Sequence, residues 1–264
     1  MARFSLDCCC YYYAWVGRYR QISLSALSLR WLCMKKRLFL FDIDGTLIFA
    51  GGCPRIYFSR IFMELFQQDL RFIAKDFLGR TDSFIIRQAL KKLGYSNRPD
   101  LEALIVRRFI ALMNDEFIHC PDSTLVPGVR EFLEWCNTQE DLYLGLITGN
   151  LRPSAYIKLE KFGLDAYFES GGFGDDSIER NELSRLAVQR AEKLYDAVFF
   201  PEDVYVFGDT PHDVACAHAW NYQCVGVAST ESRVRPLLES QPQWIIRDYN
   251  DSGLIDFLNG ASAN

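Results

Sequence analysis

The sequence lacks several features that would each define a class of protein. It has no apolar run of the roughly 18 residues that a membrane-spanning helix needs, and no Cys-x-x-Cys pair of the kind that binds structural zinc. It also lacks an excess of basic residues, because 29 lysines and arginines face 34 aspartates and glutamates and the net charge is −5. We therefore expect no membrane partner, no structural zinc and no nucleic-acid partner.

What the sequence does contain is enough apolar material for a folded core. Of its 264 residues, 49% are hydrophobic and 24% are charged, a balance that excludes a disordered or collagen-like chain. At about 150 residues per domain, this length predicts between one and two domains. A large domain with a smaller insertion fits that estimate as well as two equal domains do.

Residues 1–33 differ from the rest of the chain. They hold four arginines against the single acid Asp7, so they carry +3 while the remainder carries −8, and they contain four of the nine cysteines. Three interpretations stay open: a translation start placed upstream of Met34, an Arg- and Ser-rich organelle-targeting peptide, or a disordered or partner-docking tail. A secretory signal is not expected, since no apolar core of about 7–15 residues precedes a small-residue cleavage site.

The remaining cysteines occur singly in apolar surroundings. This pattern favours reduced, buried thiols, which are typical of a cytosolic compartment. We therefore predict a cytoplasmic protein in which these thiols stay reduced, with organelle targeting by residues 1–33 left open. The cysteines concerned are Cys53, Cys120, Cys136, Cys216 and Cys224.

From Arg37 onward, short apolar runs alternate with helical patterns. The apolar runs end abruptly in polar or small residues, which is typical of buried parallel strands that open into loops. The alternation predicts an α/β fold with a doubly wound, Rossmann-like parallel sheet, whose ligands bind beyond the carboxyl ends of the strands. The predicted strands are 37–41, 142–147, 204–207 and 224–228.

The interval between the first two predicted strands is too long for a single crossover helix. Between residues 53 and 126 the sequence instead predicts several helices separated by turn-forming segments. We interpret this interval as an α-helical cap inserted into a core made of residues 34–52 and 127–264. A separate tandem domain is the alternative, but the strands on both sides need a common sheet, which favours the insertion.

Acidic residues follow two of the predicted strands. Asp42 and Asp44 come directly after the first strand, and Asp209 follows a later one, with Asp213 close behind it. The first two acids alternate with one apolar residue in extended backbone, so both carboxylates are expected to face one site. These acids would repel one another unless a cation neutralised them, and an all-oxygen ligand set suits Mg²⁺.

The motifs at these strand ends resemble those of the haloacid dehalogenase-like hydrolase superfamily. They are Asp-x-Asp-Gly-Thr at 42–46, Thr-Gly-Asn at 148–150 and Gly-Asp-x-x-x-Asp at 208–213. The resemblance covers the chain from residue 37 to about residue 257. The helical interval resembles the cap of phosphoglycolate-phosphatase-like members, and Gly-Arg-Thr-Asp at 79–82 looks like their cap loop.

The resemblance implies a catalytic role for each acid. Asp42 would attack a phosphoryl group and form an aspartyl-phosphate, and Asp44 would protonate the leaving oxygen and then activate water. Asp44 favours phosphate-ester hydrolysis, because dehalogenating and phosphonate-cleaving relatives do not rely on this second aspartate. Mg²⁺ would be held by Asp42, Asp209 and the backbone carbonyl of Asp44, with Asp213 holding Asp209 or the water shell of the metal.

The resemblance also implies a set of contacts to the substrate. Hydroxyl and backbone groups at the strand ends would bind the phosphoryl oxygens, and side chains of the cap loop would either contact the substrate or play ordinary loop roles. The predicted contacts are Thr46, Thr148, Gly149 and Asn150 at the strand ends, and Arg80 and Thr81 in the cap loop.

One motif departs from the family pattern. Arg180 stands at about the position where the superfamily normally has a lysine. An arginine there would clamp a phosphoryl oxygen or pair with Asp42, and it would stay charged at any working pH. A solvated arginine at a helix start is the alternative. Lys158 and Lys161 lie in a helical stretch and are predicted to be surface charges.

Together these expectations define a Mg²⁺-dependent phosphomonoester hydrolase. Its partner would be a small phosphorylated metabolite of the phosphoglycolate or sugar phosphate type, an identity that comes from the resemblance. A phosphomutase of the β-phosphoglucomutase type is one alternative, and a catalytically silent binding protein on the same fold is another. The sequence predicts no oligomeric state.

Overall fold

The computed structural model describes residues 36–260, so the expectations for residues 1–33 lie outside it. Eight strands and ten α-helices are present in this range. The strands are β1 (Arg37–Phe41), β2 (Ile48–Ala50), β3 (Ser123–Leu125), β4 (Leu142–Ile147), β5 (Gly171–Gly172), β6 (Val204–Gly208), β7 (Gln223–Val227) and β8 (Trp244–Ile246). The helices are α1 (Cys53–Phe66), α2 (Ala74–Phe77), α3 (Asp82–Lys92), α4 (Pro99–Glu116), α5 (Val129–Asn137), α6 (Arg152–Glu160), α7 (Arg180–Tyr195), α8 (Pro211–His218), α9 (Glu231–Ser240) and α10 (Leu254–Leu258).

The main sheet is parallel throughout and has the strand order β5-β4-β1-β6-β7-β8. Strand β1 pairs with β4 on one side and β6 on the other, so that Phe41 lies opposite Leu146 and Phe207. All five residues of β1 are buried, as expected of a strand with helices on both faces. The predicted α/β, Rossmann-like fold is therefore confirmed.

Each face of the sheet has its own layer of helices. Because alternate residues of a strand point to opposite faces, β1 contributes to both layers. Phe39 and Phe41 pack with residues of α5, α6 and α10, whereas Leu38 and Leu40 pack with residues of α7, α8 and α9. Phe41 also stacks on Phe207, with ring centroids 4.5 Å apart. Burial of each of these apolar side chains contributes about 1.5–3 kcal/mol to the stability of the fold, so β1 stabilises both layers.

Helices α1 to α4 occupy the interval predicted as the cap. They lie between β2 and β3, which pair antiparallel with Ile48 opposite Leu125. The two connections between the main sheet and these helices therefore run side by side as a two-stranded sheet. Phe58 of α1 stacks on Phe109 of α4 with ring centroids 4.3 Å apart. These rings belong to the same apolar cluster as Phe39 of β1, and the helical segment therefore packs continuously onto the core.

Helix α4 is the longest in the described structure, with 18 residues. It is amphipathic, because Ile105, Phe109 and Met113 recur at four-residue spacing on its buried side. Within residues 36–260, no helix combines the length and the apolarity needed to cross a membrane.

Cys53, at the start of α1, forms a disulfide with Cys120, which follows α4. The prediction that these two thiols stay reduced is wrong, because the fold brings together residues 67 positions apart in sequence. Cys136, Cys216 and Cys224 are free and buried, as predicted. The disulfide removes part of the support for a cytosolic compartment, which was inferred from reduced thiols.

Candidate active site

Three neighbouring strands of the main sheet end at one edge, and a predicted motif follows each of them. Asp42 comes directly after β1, Thr148 after β4 and Asp209 after β6. The N–H of Asp42 donates to the carbonyl of Phe207 at 2.9 Å, which extends the pairing of β1 and β6 into the site. Parallel pairing therefore gathers motifs that are far apart in sequence.

A tight turn follows Asp42 and leads the chain into β2. The N–H of Ile48 donates to the carbonyl of Ile43 at 3.0 Å and closes this turn. Gly45 has a φ angle of +86°, and a Cβ atom at this position would overlap the carboxylate of Asp209. Glycine meets both demands because it has no side chain and adopts left-handed backbone without strain.

Three buried carboxylates meet at this edge of the sheet. Asp42, Asp209 and Asp213 each place an oxygen within 4.8 Å of the others, and none is more than 6% exposed. Burial raises the pKa of Asp42 to about 7, although Arg180 lowers it, and burial also raises the pKa of Asp209 well above its ordinary value. The positive charge of Arg180 therefore does not fully offset the burial of these carboxylates. Their oxygen atoms suit a hard divalent cation.

Arg180 is the first residue of α7 and lies inside this cluster. Its guanidinium is 3.1 Å from Oδ1 of Asp42 and donates to Oδ1 of Asp213 through two nitrogens. Burial opposes its charge, but Asp213 and Asp42 raise the pKa of Arg180, so it remains a cation. The other oxygen of Asp213 accepts from the N–H and hydroxyl of Thr210 at the start of α8. Asp213 thus holds Arg180 beside Asp42.

Asp44 belongs to a second cluster, formed with Lys158 and Asn150. The Nζ of Lys158 donates to both carboxylate oxygens of Asp44, at 2.8 and 2.6 Å, and to Oδ1 of Asn150 at 2.6 Å. The prediction that Lys158 is a surface charge is wrong, since its side chain is 3% exposed. Ser154 and Ala155 of the same helix are buried as well. Their spacing to Lys158 marks a buried helix face and is the signal that would have placed this lysine inside.

Asn150 connects the second cluster to Thr148. Its Nδ2 donates to Oδ2 of Asp44 and to Oγ1 of Thr148, both at 2.7 Å. The Thr148 hydroxyl is fully buried and acts as an acceptor toward Asn150, so its own proton is left to donate elsewhere. Such a hydroxyl can donate to an oxygen of a bound anion.

The predicted cap loop lies against the strand ends of the core. The N–H of Asp82 donates to the carbonyl of Gly149 at 2.7 Å, and the N–H of Leu151 donates to Oδ2 of Asp82 at 3.0 Å. A Cβ atom at Gly149 would overlap the carbonyl of Arg80, so glycine permits the close approach of the loop. Cap and core are therefore joined by backbone contacts at the edge of the site.

Two cap-loop residues predicted to contact substrate make local contacts in the structure. The hydroxyl of Thr81 accepts from the N–H of Phe84 at 3.2 Å and caps α3. Arg80 is exposed, and its guanidinium lies 4.7 Å from the ring centroid of Phe84. Their contacts with substrate stay predictions.

Arg233 is a site residue to which the sequence patterns assigned no role. It lies in the first turn of α9, and its guanidinium is 2.9 Å from Oδ2 of Asp209. Its position shortly after β7, at the edge where the other motifs gather, was the available signal.

The predicted Thr46 is fully buried, and its hydroxyl has no hydrogen-bond partner among residues 36–260.

This fold and its strand-end motifs match a family model for haloacid dehalogenase-like hydrolases over residues 39–218. The chain belongs to this family. It is similar to a phosphoglycolate phosphatase from Pseudomonas putida, with 26% identity over 80% of this chain and 76% of that protein. A phosphoglycolate phosphatase from Nitrosococcus oceani is 29% identical over 79% of this chain and 91% of that protein.

The fold is also similar to that of CbbY from Rhodobacter sphaeroides, a structure solved in complex with phosphate. The two agree with a TM-score of 0.64 at 18% identity, over 83% of this chain and 96% of that one. At this identity the likeness concerns the fold alone. Together with its relatives, the family membership identifies the protein as an enzyme, a phosphatase of the haloacid dehalogenase-like family.

Proposed function

We propose that the protein is a Mg²⁺-dependent phosphomonoester hydrolase that forms an aspartyl-phosphate on Asp42. The observation that carries the proposal is the setting of this carboxylate, buried at the end of β1 with the Arg180 guanidinium 3.1 Å away and Asp209 and Asp213 beside it. A carboxylate attacks a phosphoryl group only where cations screen the negative charge of both. Arg180 supplies one such cation, and the acids supply a place for another.

The acidic cluster supports a metal site. Asp42 and Asp209 would hold Mg²⁺ together with the backbone carbonyl of Asp44, an all-oxygen set of the kind that this ion prefers. When bound, the metal would screen the phosphate and polarise one of its oxygens. Asp213 contributes indirectly, because its oxygens already accept hydrogen bonds from Arg180 and from the start of α8.

The proposed reaction has two steps that share the same residues. In the first, a carboxylate oxygen of Asp42 attacks phosphorus, the bond from phosphorus to the leaving oxygen breaks, and Asp44 gives that oxygen a proton. In the second, water attacks phosphorus, the bond to Asp42 breaks, and Asp44 takes a proton from the water. The products are the alcohol, inorganic phosphate and the regenerated Asp42 carboxylate.

Thr148 and Arg180 are the proposed contacts to the transferred group. The Thr148 hydroxyl keeps a free proton because it already accepts from Asn150. The Arg180 guanidinium stays charged and is held against Asp42 by Asp213. Both groups are fixed before substrate arrives, so they stabilise developing charge without reorganising.

The proposed substrate is a small phosphorylated metabolite of the phosphoglycolate or sugar phosphate type. The names of the relatives from Pseudomonas putida and Nitrosococcus oceani support this class. The backbone contact between Asp82 and Gly149 supports it as well, because a cap that closes onto the strand ends favours a substrate small enough to be enclosed.

The test is hydrolysis of p-nitrophenyl phosphate by the full chain and by Asp42→Asn. The wild type should release inorganic phosphate in the presence of Mg²⁺ and should lose this activity in EDTA. Asp42→Asn should lose the activity while keeping the circular dichroism spectrum of the wild type. Asp256→Asn removes an exposed acid on α10 and should remain active. Near-normal turnover by Asp42→Asn, or full activity in EDTA, would overturn the nucleophile or the metal assignment.

A screen of phosphorylated metabolites then defines the substrate. The proposal predicts phosphate release from small monoesters without any added bisphosphate. Turnover that requires a sugar bisphosphate primer and yields an isomerised sugar phosphate would favour a mutase instead. Binding of phosphorylated compounds without turnover of any of them would indicate a silent binding protein.

A further inference from the structure

Lys158 uses its full hydrogen-bonding capacity inside the site. An ammonium group has three donors, and those of Lys158 reach Oδ1 and Oδ2 of Asp44 and Oδ1 of Asn150. The lysine side chain is 3% exposed, whereas that of Asp44 is 40% exposed. A buried donor therefore holds both oxygens of a carboxylate that is partly exposed to solvent.

The contact with Asn150 fixes the orientation of its amide. Because Oδ1 of Asn150 faces the Lys158 ammonium, its Nδ2 faces Asp44 and Thr148 and donates to both at 2.7 Å. A reversed amide would place its NH₂ group against the ammonium and lose all of these bonds. The backbone N–H of Asn150 also donates to Oγ1 of Thr148, at 3.3 Å, so Asn150 joins Thr148 to the pair of Asp44 and Lys158.

We infer that Lys158 is a positioning residue for the hydrolase reaction, which sets the place of the Asp44 carboxylate both directly and by fixing the Asn150 amide that donates to it. The inference rests on the proposed function. It links the two strand ends after β1 and β4 through one buried side chain on α6. No contact between Lys158 and the substrate is required for this role.

The hydrolysis of the aspartyl-phosphate is the step that should depend most on Lys158. In that step water attacks phosphorus, the bond from phosphorus to Asp42 breaks, and Asp44 takes a proton from the water. The acceptor must lie within hydrogen-bond reach of the attacking water, so a mobile Asp44 slows the reaction. With p-nitrophenyl phosphate the earlier step needs no proton donor, because p-nitrophenolate departs as an anion.

Stopped-flow measurement of p-nitrophenolate release separates the two steps. Lys158→Met removes the donors but keeps the length of the side chain. This variant should show a burst of about one p-nitrophenolate per active site, followed by a steady state at least tenfold slower than that of the wild type. The KM should not rise, since Lys158 holds catalytic groups rather than substrate. A general loss of structure would lower the burst amplitude instead.

Lys161→Met is the matched control. Lys161 directly follows the last residue of α6 and donates to the carbonyls of Phe117 and Cys120 and to the hydroxyl of Ser123, outside the two clusters. It is partly buried, so it too differs from the predicted surface charge. Its replacement should produce no burst beyond that of the wild type. If Lys158→Met does not fold, Lys158→Gln, which has two N–H donors on a shorter side chain, should show the same burst with a smaller loss in the steady state.

A double-mutant cycle with Asp44→Asn distinguishes this inference from the proposed function. If Lys158 acts through Asp44, Lys158→Met should change the turnover of Asp44→Asn by less than about twofold. An equal tenfold loss in both backgrounds, or an unaltered steady state in Lys158→Met alone, would overturn the positioning role. Wild-type turnover by Asp44→Asn would instead overturn the proposed function of that acid.

Discussion

Arg233 places its guanidinium 2.9 Å from Oδ2 of Asp209, a carboxylate that is 2% exposed. Burial raises the pKa of Asp209, and Arg233 is the strongest of the influences that lower it. A proposed metal ligand thus already has a cation of the protein beside it. Arg233 and a bound divalent cation would both offset the charge of the Asp209 carboxylate. Loss of Arg233 should therefore make the stability of the folded protein depend more strongly on the divalent cation.

Arg233→Gln should therefore destabilise the metal-free protein and make its stability more dependent on Mg²⁺. Removing one partner of a largely buried pair costs about 1–3 kcal/mol. For a chain of this size, the melting temperature in EDTA should fall by about 2–10 °C. Millimolar Mg²⁺ should recover most of that loss, because a ligand that binds the folded state stabilises it. Thermal unfolding followed by fluorescence in both buffers measures the effect.

The control for this prediction lies on the same helix. Arg235 pairs with Glu239 at 2.8 Å, but its side chain is 88% exposed. Arg235→Gln should change the stability by no more than about 0.5 kcal/mol, with or without Mg²⁺. A loss in Arg233→Gln that Mg²⁺ does not reduce would show that the arginine and the metal do not share Asp209.

The strands that the sequence predicts well are those with helices on both faces. β1 and β4 match the predicted bounds because buried parallel strands appear as continuous apolar runs. β5 consists of Gly171–Gly172, which has no apolar side chain, and β8 of Trp244–Ile246, an apolar run too short to predict a strand by itself. Their positions depend on pairing with neighbouring strands rather than on local sequence.

In the candidate site, too, some residues could be predicted from the sequence and others depend on the fold. Asp42 and Asp209 could be predicted because motifs at the carboxyl ends of adjacent strands meet at one edge. The helix spacing around Lys158 and the position of Arg233 after β7 indicate a place near the site. They do not indicate which groups the two side chains contact, since the partners lie in other motifs and the fold alone brings them together. The Cys53 disulfide was missed for the same reason, because residues scattered in sequence give no indication of a shared location.

Thr46→Val should lower catalysis without lowering stability. The Thr46 hydroxyl is buried and lacks a hydrogen-bond partner in the described range 36–260, a state that costs about 1–3 kcal/mol. A methyl group of the same shape avoids that cost, so the free energy of unfolding should stay level or rise. If the hydroxyl binds substrate, kcat/KM should fall about tenfold, equivalent to about 1.4 kcal/mol. Urea unfolding and steady-state kinetics provide the two measurements.

Thr148→Val provides the comparison for that variant. The Thr148 hydroxyl already accepts a hydrogen bond from Asn150 at 2.7 Å, so its removal leaves a buried donor unpaired. This variant should lose stability as well as activity. A similar loss of stability in Thr46→Val would mean that the Thr46 hydroxyl has a partner in solution.

The disulfide between Cys53 and Cys120 should stabilise the folded protein measurably. It joins residues 67 positions apart, and the entropy of closing a loop of that length corresponds to about 4 kcal/mol. Cys53→Ser with Cys120→Ser should lower the urea midpoint, and dithiothreitol should lower that of the wild type to a similar value. A double variant that is as stable as the oxidised wild type would contradict the prediction.

Asp82 should make the stability depend on pH. Burial raises the pKa of this carboxyl from 3.8 to about 6, against the lowering influence of Lys158. Because the folded-state pKa exceeds the unfolded one, the folded protein binds this proton more tightly, and the free energy of unfolding falls as pH rises from about 4 to 6. A shift of this size corresponds to about 3 kcal/mol. Asp82→Asn cannot ionise, so it should flatten this part of the pH profile and raise the stability at pH 7.5.

Asp175→Asn is the matched control, since both acids accept hydrogen bonds from backbone N–H groups at the start of α6, those of Leu151 just before it and of Arg152 at its first position. Asp82 accepts from Leu151 and is 7% exposed, whereas Asp175 accepts from Arg152 at 2.9 Å and is exposed. Urea unfolding at pH 4.5 and pH 7.5 should show a smaller difference for Asp82→Asn than for the wild type, and an unchanged difference for Asp175→Asn. If Asp82→Asn keeps the wild-type difference, this carboxyl ionises at the same pH in the folded and unfolded chains, and its burial between cap and core does not limit stability.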